Sequence, residues 1–318
     1  MTSPTPLPLR VTVIVPTYRR PDRLADCLDG LARQTQAPAQ VIVTVRDIDP
    51  GSADVARRFT GRLALQIVGI DVPGQVAAIN RGIDHARGDV VAITDDDAVP
   101  HPDWVERIEA WYQTDPRIGG VGGRDHVYHD GVPEDGAARV VGRLQWFGRV
   151  IGNHHLGVGP PQDVDVLKGA NWSFRRSAIG DQRLNTRLRG SGAQVRNEVD
   201  FSLRLRRQGW RLVYDPLVAV DHFPAVRHDI DQRGADQFHP LAQENATFND
   251  TLALMGHFGP LNRVVFAAWA LLVGTCEFPG LAQWGRLALR GDRHAGAKLR
   301  ATLRGRLAGM RAWREFPA

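Results

Sequence analysis

Cysteine is scarce in this chain of 318 residues, and that scarcity excludes two kinds of site. The two cysteines, Cys27 and Cys276, lie far apart, with neither the spacing of a zinc site nor the number that a disulfide framework needs. We therefore expect a reducing, cytoplasmic setting. The N-terminus is rich in proline and lacks the apolar core of a secretory signal, so we expect residues 1–9 to form a flexible leader.

Long apolar runs and nucleic-acid motifs are missing as well. The most apolar stretch, residues 264–273, is much shorter than the roughly 20 residues that a membrane-spanning helix needs. No helix-turn-helix, zinc finger or aromatic RNA-binding motif occurs, so we expect no nucleic acid partner. The formal net charge is +5, and the arginines concentrate in residues 204–211 and from residue 286 onward. This distribution suits a phosphate-bearing ligand or an anionic membrane surface.

The chain does contain an alternation of strand and helix patterns. Valine-rich strands are predicted over residues 10–15, 40–45, 63–70 and 89–94, and helical patterns lie between them. Strand, helix and strand at this spacing indicate parallel crossover units. The predicted fold class is therefore α/β, with a mostly parallel central sheet flanked by helices.

The fourth predicted strand ends in three consecutive carboxylates, Asp95, Asp96 and Asp97. Because side chains alternate along a strand, Asp95 and Asp97 should point the same way. Two such carboxylates repel each other unless a cation lies between them, and an all-oxygen site suits Mg²⁺ or Mn²⁺. A solvated turn that caps the following helix is the alternative. Residues 16–18 and 46–49 also follow strands, and ligands of open parallel sheets bind at such ends.

Three segments occur here in the order found in family 2 glycosyltransferases, which the chain resembles over residues 11–222. They are the run VIVPTYRR at residues 13–20, the run AINRG at residues 78–82 and the strand that ends in the aspartates. The resemblance implies a GT-A-like fold, a nucleotide diphosphate sugar donor, UDP- or GDP-linked, and a hydroxyl acceptor.

The implied domain organisation has three parts. A catalytic domain over residues 10–225 divides into a nucleotide-binding half, 10–100, and an acceptor half, 101–225. A helical, basic C-terminal region follows over residues 226–318.

The resemblance also implies roles for single residues. Asp97 would coordinate the metal, and His222 would be an additional metal ligand, as in some metal-dependent members of this fold class. The acid that holds the base or ribose would be Asp47, with Asp49 as the alternative. The chain departs from the family here, because it has Arg-Asp-Ile-Asp where the family usually has Asp-Asp or Asp-Gly-Ser. The residues implied for binding the donor nucleotide are Pro16, Thr17, Tyr18, Arg20, Asp47, Asp49, Asn80, Asp95 and Asp96.

Two further segments supply acceptor and catalytic candidates. Residues 167–176 resemble the family's Gly-X-Asn-X-Ser-Phe-Arg segment, which makes Asn171 and Trp172 acceptor or sugar residues, although Trp172 could instead be a buried aromatic. Residues 196–210 resemble the family's Glu-Asp-X-Asp-Leu run, whose inner acid is the general base. By register that base is Glu198, with Asp200 as the rival.

The C-terminal region has the pattern of a basic amphipathic helix. Leu299, Leu303, Leu307 and Met310 alternate with arginines beyond Gly280. We expect peripheral attachment to the anionic inner face of the cell membrane, with packing on the catalytic domain or a homodimer as the alternatives.

The sequence therefore predicts a metal-dependent inverting glycosyltransferase. A sugar-phosphate nucleotidylyltransferase would need a glycine-rich loop bearing arginine and lysine after the first strand, and residues 16–18 are not one. A catalytically silent nucleotide-sugar-binding or membrane scaffold protein is the other alternative, suggested by the turn at residues 46–49 and by Glu198.

Overall fold

The computed structural model describes residues 8–230 and 238–315, so most of the predicted leader lies outside the described residues. The strands are β1 (Val11–Thr17), β2 (Gln40–Arg46), β3 (Leu65–Ile70), β4 (Val90–Ile93), β5 (Ala98–Pro100), β6 (Ile118–His129), β7 (Val132–Pro133), β8 (Arg143–Leu144), β9 (Val150–Ile151), β10 (Gln162–Asp163), β11 (Trp172–Arg175) and β12 (Arg211–His222). The helices are α1 (Pro21–Ala32), α2 (Pro50–Arg58), α3 (Gln75–His85), α4 (Trp104–Thr114), α5 (Arg176–Ile179), α6 (Asn197–Arg207), α7 (Pro240–His257), α8 (Pro260–Leu272), α9 (Leu281–Leu289) and α10 (Ala295–Glu315).

Ten strands form one sheet, in the order β10-β12-β6-β11-β4-β1-β2-β3, with β5 beside β12 and β7 beside β6. Strands β3, β2, β1 and β4 are parallel to one another, and β6 is parallel to β12. Strand β11 runs antiparallel between β4 and β6. The predicted mostly parallel α/β sheet is confirmed.

The strand β1 shows why this sequence forms a sheet covered on both faces. Val13 and Val15 pack with α1 and α4 in one hydrophobic cluster, whereas Ile14 packs with α3 in another. Alternate side chains are therefore buried on opposite faces, and an uninterrupted run of β-branched residues is what such a strand requires.

Strands β6 and β12 run side by side, and each is 12 residues long. A register shift between Asp215 and Ala219 interrupts their pairing. Gly123 permits it, because a Cβ there would overlap the carbonyl oxygen of Val218.

The C-terminal helices share the hydrophobic core of the sheet. Phe248 and Leu252 of α7 lie in the same cluster as side chains of β1 and β4. Helix α10 packs closely on α7 through Gly305 and Gly309, and a Cβ at Gly305 would lie 2.5 Å from the carbonyl oxygen of Glu244. Helix α10 thus packs on α7 and, through Ala308 and Trp313, against the same cluster. Membrane attachment, a homodimer and the division at residue 225 stay predictions. Across residues 8–230 and 238–315, we find no helix that is both long and apolar enough to span a membrane.

Candidate active site

The three consecutive aspartates occupy the turn between β4 and β5, and their side chains diverge. Asp95, Asp97 and His222 each offer one ligand atom, and these atoms all lie within 4.8 Å of one another. Asp96 points to other partners. Burial raises the pKa of Asp95, and the neighbouring Asp97 carboxylate raises it further. The turn therefore brings two carboxylates and one imidazole together, with Asp95 and Asp97 on the same side as the sequence predicts.

The carboxylate of Asp97 is prepared for a cation. Its Oδ2 accepts hydrogen bonds from the backbone N–H of Ala225 at 3.0 Å and from Arg20 at 3.2 Å. Its Oδ1 is buried, accepts no hydrogen bond from any residue that the structure describes, and lies 3.3 Å from His222 Nε2. Burial opposes ionisation, but His222 and Arg20 outweigh it and lower the pKa of Asp97 to about 2. A buried carboxylate oxygen without a donor, beside an imidazole nitrogen, fits a divalent cation such as Mn²⁺ or Mg²⁺.

His222 is oriented by two residues that the sequence patterns did not reveal. Its Nδ1 lies 3.5 Å from Asp125 Oδ2, and Lys168 forms an ion pair with the same carboxylate. Burial lowers the pKa of His222, whereas the neighbouring carboxylates of Asp125 and Asp97 raise it to about 9. A carboxylate behind an imidazole fixes the ring in metal sites of this type. The available signal was an acid in the polar run Arg124-Asp125-His126, which follows the glycine-rich part of β6.

Asp96 joins the ends of β1 and β4. Its carboxylate accepts hydrogen bonds from Thr17 Oγ1 at 2.7 Å and from Arg20 at 2.9 Å. Burial raises the pKa of Asp96 to about 7, although Arg20 and Thr17 partly offset the rise. Arg20 therefore bridges Asp96 and Asp97 and fixes the turn from which the metal candidates project.

The two acids after β2 have different surroundings. Asp49 is buried, accepts a hydrogen bond from Ser52 N as the cap of α2, and accepts another from the backbone N–H of Arg19. Asp47 is exposed at the rim. Tyr18 lies at this rim too, with the Arg46 guanidinium 5.7 Å from its ring centre. Asp47 is thus available to a ligand, whereas Asp49 is engaged in holding the chain.

The first turn of α6 lies beside the metal candidates. Gln75 Nε2 donates to Asp95 Oδ1 at 3.0 Å, and the other amide atom of Gln75 lies 3.4 Å from Asn197 Nδ2. Glu198 follows at once, is half-buried, and forms no hydrogen bond or ion pair with another residue of the described part. Its carboxylate is therefore available for proton transfer.

The carboxylate of Asp200, in contrast, is engaged by other side chains of the protein. It forms an ion pair with Arg204 at 3.0 Å and accepts a hydrogen bond from Asn185 at 3.5 Å. It lines a separate cavity of about 310 Å³ between α6, α7 and α10, together with Arg207 and Trp313. This geometry favours Glu198 over Asp200 as the base.

Two asparagines assigned by resemblance hold the fold around the site. Both amide atoms of Asn80 bond the backbone of Leu184, at 2.9 and 2.7 Å. Asn171 accepts from Trp104 at 2.8 Å and donates to the Val218 carbonyl at 2.7 Å.

Trp172 is 1% exposed and packs edge-to-face on Phe174, with ring centres 5.0 Å apart. A sugar platform needs an open ring face. The assignment of Trp172 to the acceptor therefore does not fit, because β11 lies between β4 and β6 and buries the ring.

Comparisons with known proteins agree with this architecture. Residues 12–181 match the family described as Glycosyl transferase family 2. The chain is 28% identical over 229 residues to the glucosyl-dolichyl phosphate glucuronosyltransferase of Haloferax volcanii, an alignment that covers 67% of this chain and 69% of that protein. It is 34% identical over 111 residues to glycosyltransferase AglE of the same organism, covering 34% of this chain and 36% of AglE.

A solved structure is similar over almost the whole chain. The mannosyltransferase PcManGT from Pyrobaculum calidifontis, in complex with GDP-Man and Mn²⁺, superposes with a TM-score of 0.54 at 18% sequence identity. The match covers 98% of this chain and 88% of that chain. It confirms the predicted GT-A-like fold with its C-terminal helices.

Proposed function

The chain belongs to glycosyl transferase family 2 and is a glycosyltransferase, and from this we propose a metal-dependent transfer of a sugar, with inversion, from a nucleotide diphosphate donor to a hydroxyl acceptor. The convergence of Asp95, Asp97 and His222 carries this proposal. Such a transfer requires a base for the acceptor and positive charge for the departing diphosphate.

The proposed metal ligands are Asp97 and His222, with Asp95 completing the group. A bound Mn²⁺ or Mg²⁺ would neutralise charge on the diphosphate. The unbonded Oδ1 of Asp97 and the support of His222 by Asp125 favour this assignment. The Mn²⁺ present with PcManGT is consistent with it.

The donor nucleoside is proposed to lie at the rim formed by the ends of β1, β2 and β4. Asp47, Asp95 and Tyr18 are exposed or half-buried there and can contact a base or ribose. The donor is UDP- or GDP-linked, and the GDP-Man of the similar structure supports the inclusion of GDP sugars. Glu198 is proposed to remove the proton from the acceptor hydroxyl as its oxygen attacks the anomeric carbon.

A sugar hydroxyl on a lipid-linked carrier is the proposed acceptor. The Haloferax volcanii relative is named for action on glucosyl-dolichyl phosphate, which supports this class. We further propose that the chain acts on the cytoplasmic side, as a peripheral protein on the inner face of the cell membrane.

The surface formed by α8 and α9 supports attachment to a membrane. Helix α8 buries only Phe266 and Ala270, and α9 buries no residue. The large apolar side chains exposed on these helices include Leu261, Val264, Leu272, Leu281, Trp284 and Leu289. Arg286 of α9 and Arg290, the residue after this helix, are both exposed, so an anionic bilayer would match this surface in both polarity and charge.

Co-sedimentation with vesicles tests the attachment. We expect Val264→Glu combined with Trp284→Glu to abolish binding to vesicles of phosphatidylglycerol, whereas Leu217→Glu, at an exposed site on β12, leaves binding intact. Equal binding of all three proteins would refute the attachment. A homodimer would be indicated instead if the wild type does not bind vesicles but forms a dimer that the double variant loses. Analytical ultracentrifugation measures the dimer.

Release of nucleoside diphosphate tests the transfer itself. We expect the purified protein with Mn²⁺ to release UDP or GDP from one of a panel of nucleotide sugars, faster when a short-chain glucosyl polyprenyl phosphate is added. Asp97→Ala should abolish release, whereas Asp29→Ala, at a distant surface ion pair, should not change it. Binding of nucleotide without release on any acceptor would favour a catalytically silent nucleotide-sugar-binding protein.

A further inference from the structure

We infer that Asp250 of helix α7 is a positioning residue for Glu198, so that the C-terminal helices complete the catalytic site. The inference rests on the proposed role of Glu198 as the base. Both residues lie beyond residues 12–181, the part of the chain that matches the family.

The residue before α6 has an unusual backbone. Arg196 adopts φ +75°, in the left-handed region that a non-glycine residue seldom occupies. Such a conformation persists only where the surroundings hold it. The side chain of Arg196 is therefore expected to have strong partners.

Those partners come from the C-terminal region. Arg196 Nε lies 3.3 Å from Asp250 Oδ1, and its NH2 lies 3.0 Å from Glu277 Oε2. The guanidinium lies 5.1 Å from the centre of the Phe278 ring. Two carboxylates and one aromatic ring thus fix the guanidinium in position and direction.

Asp250 is itself held on its other side. Arg306 of α10 donates to Asp250 Oδ2 at 2.6 Å, and both side chains are buried. The Arg306 guanidinium lies between two rings, 5.0 Å from the centre of Phe266 and 5.5 Å from that of Phe278. A carboxylate buried between two guanidiniums has little freedom to move, because leaving either partner would create an uncompensated buried charge.

This network acts directly on the turn that carries the proposed base. Glu198 lies two residues after Arg196 and Asn197 one residue after it, and Asn197 reaches Asp95 through Gln75. The first turn of α6 is thus fixed from both sides, by the metal-site residues and by Asp250. A displacement of about 1 Å in a catalytic group is enough to slow a reaction about a hundredfold.

Two variants separate positioning from folding. Asp250→Asn keeps the shape of the side chain and removes its charge. Arg196→Gly removes the guanidinium but suits the positive φ, so it should fold even if the first variant does not. Asp29→Asn, which breaks the surface ion pair with Arg62, is the matched control.

We expect both variants to lower kcat at least tenfold, with the donor KM and the Mn²⁺-dependent binding of GDP or UDP changed less than twofold. The variant Asp250→Glu keeps a carboxylate at this position, so its kcat should lie between that of Asp250→Asn and that of the wild type. Unchanged kcat in both variants, or an equal loss of nucleotide binding and kcat, would overturn the inference.

Hydrogen–deuterium exchange gives a readout that does not depend on activity. We expect a peptide spanning residues 194–202 to exchange at least tenfold faster in Asp250→Asn and in Arg196→Gly than in the wild type and the control. If the wild type transfers no sugar, the proposed function fails, whereas unchanged exchange in both variants refutes the positioning role by itself.

Discussion

Asp97 Oδ1 lies 3.3 Å from His222 Nε2 because the short strand β5 pairs with the end of β12. The register places His222 opposite Ala98, the residue after Asp97, and Phe223 N donates to the Asp97 carbonyl at 2.8 Å. Backbone pairing therefore sets the separation of the two proposed metal ligands. Their side chains need only small adjustments to share a cation.

The support of His222 by Asp125 leads to a prediction about metal affinity. We expect Asp125→Asn to weaken Mn²⁺ binding by about 10- to 100-fold, because the imidazole loses the carboxylate that orients it. Calorimetric titration of Mn²⁺ in the presence of GDP or UDP measures the change. The control is Asp221→Asn, since Asp221 is the residue before His222 but pairs with His101 instead. Equal affinities for the two variants would refute the role of Asp125.

The two acids of α6 should differ in their effect on turnover. We expect Glu198→Gln to lower the rate of transfer by about 10²- to 10⁴-fold without loss of nucleotide binding, because the acceptor loses its base. Asp200→Asn should lower the rate less than tenfold, since Asp200 pairs with Arg204. Steady-state kinetics with a saturating donor decides between them. A larger effect at Asp200 would exchange the two roles.

Trp172 should matter for stability rather than for sugar binding. Truncation of this buried ring as Trp172→Ala should lower the free energy of unfolding by about 3–5 kcal/mol, because it leaves a cavity among packed aromatics. Urea denaturation measures the loss. Trp146→Ala, at a side chain that is 64% exposed, should change stability by less than about 1 kcal/mol. Near-equal stabilities would argue against a core role for Trp172.

The sequence predicts the parallel strands β1 to β4 better than it predicts the site as a whole. The parallel strands and Asp95, Asp96 and Asp97 follow from local periodicity and from the residues at strand ends. Asp125 could not be found in this way, because its contact with His222 depends on the pairing of β6 with β12. Such long-range pairings leave no local pattern.

The motif resemblance names candidate residues but does not show which of their side chains the fold buries. Asn80 and Trp172 match family motifs, yet in this chain they bond a loop and pack in the core. Burial of this kind depends on which strand lies on either side of β11, and a single sequence does not reveal it. The position of α10 is likewise not revealed by a single sequence, because it depends on the fit of the glycines of α10 against α7.

His154 should make the protein less stable in mild acid. Its ring is buried, donates from Nε2 to the Val166 carbonyl at 3.0 Å, and burial lowers its pKa to about 4. Between pH 6.5 and 4 the unfolded chain therefore binds a proton that the folded chain does not. The stabilising contribution is fully present above about pH 6.5 and decreases as the pH falls toward 4.

Urea denaturation at two pH values measures this effect. Relative to His154→Gln, the wild type should lose about 2 kcal/mol of stability between pH 7.5 and pH 5. A wild type and a His154→Gln variant with parallel pH dependence would show that the imidazole is not held neutral.

The most direct test of the proposed donor site is calorimetric titration of UDP and GDP into the wild type and Asp97→Ala, with and without Mn²⁺. We predict that the wild type binds one of the two nucleotides at least tenfold more tightly with Mn²⁺, and that Asp97→Ala loses this dependence while keeping its fold. Failure of both nucleotides to bind the wild type under any condition would contradict the account, because the fold would then lack its donor chemistry.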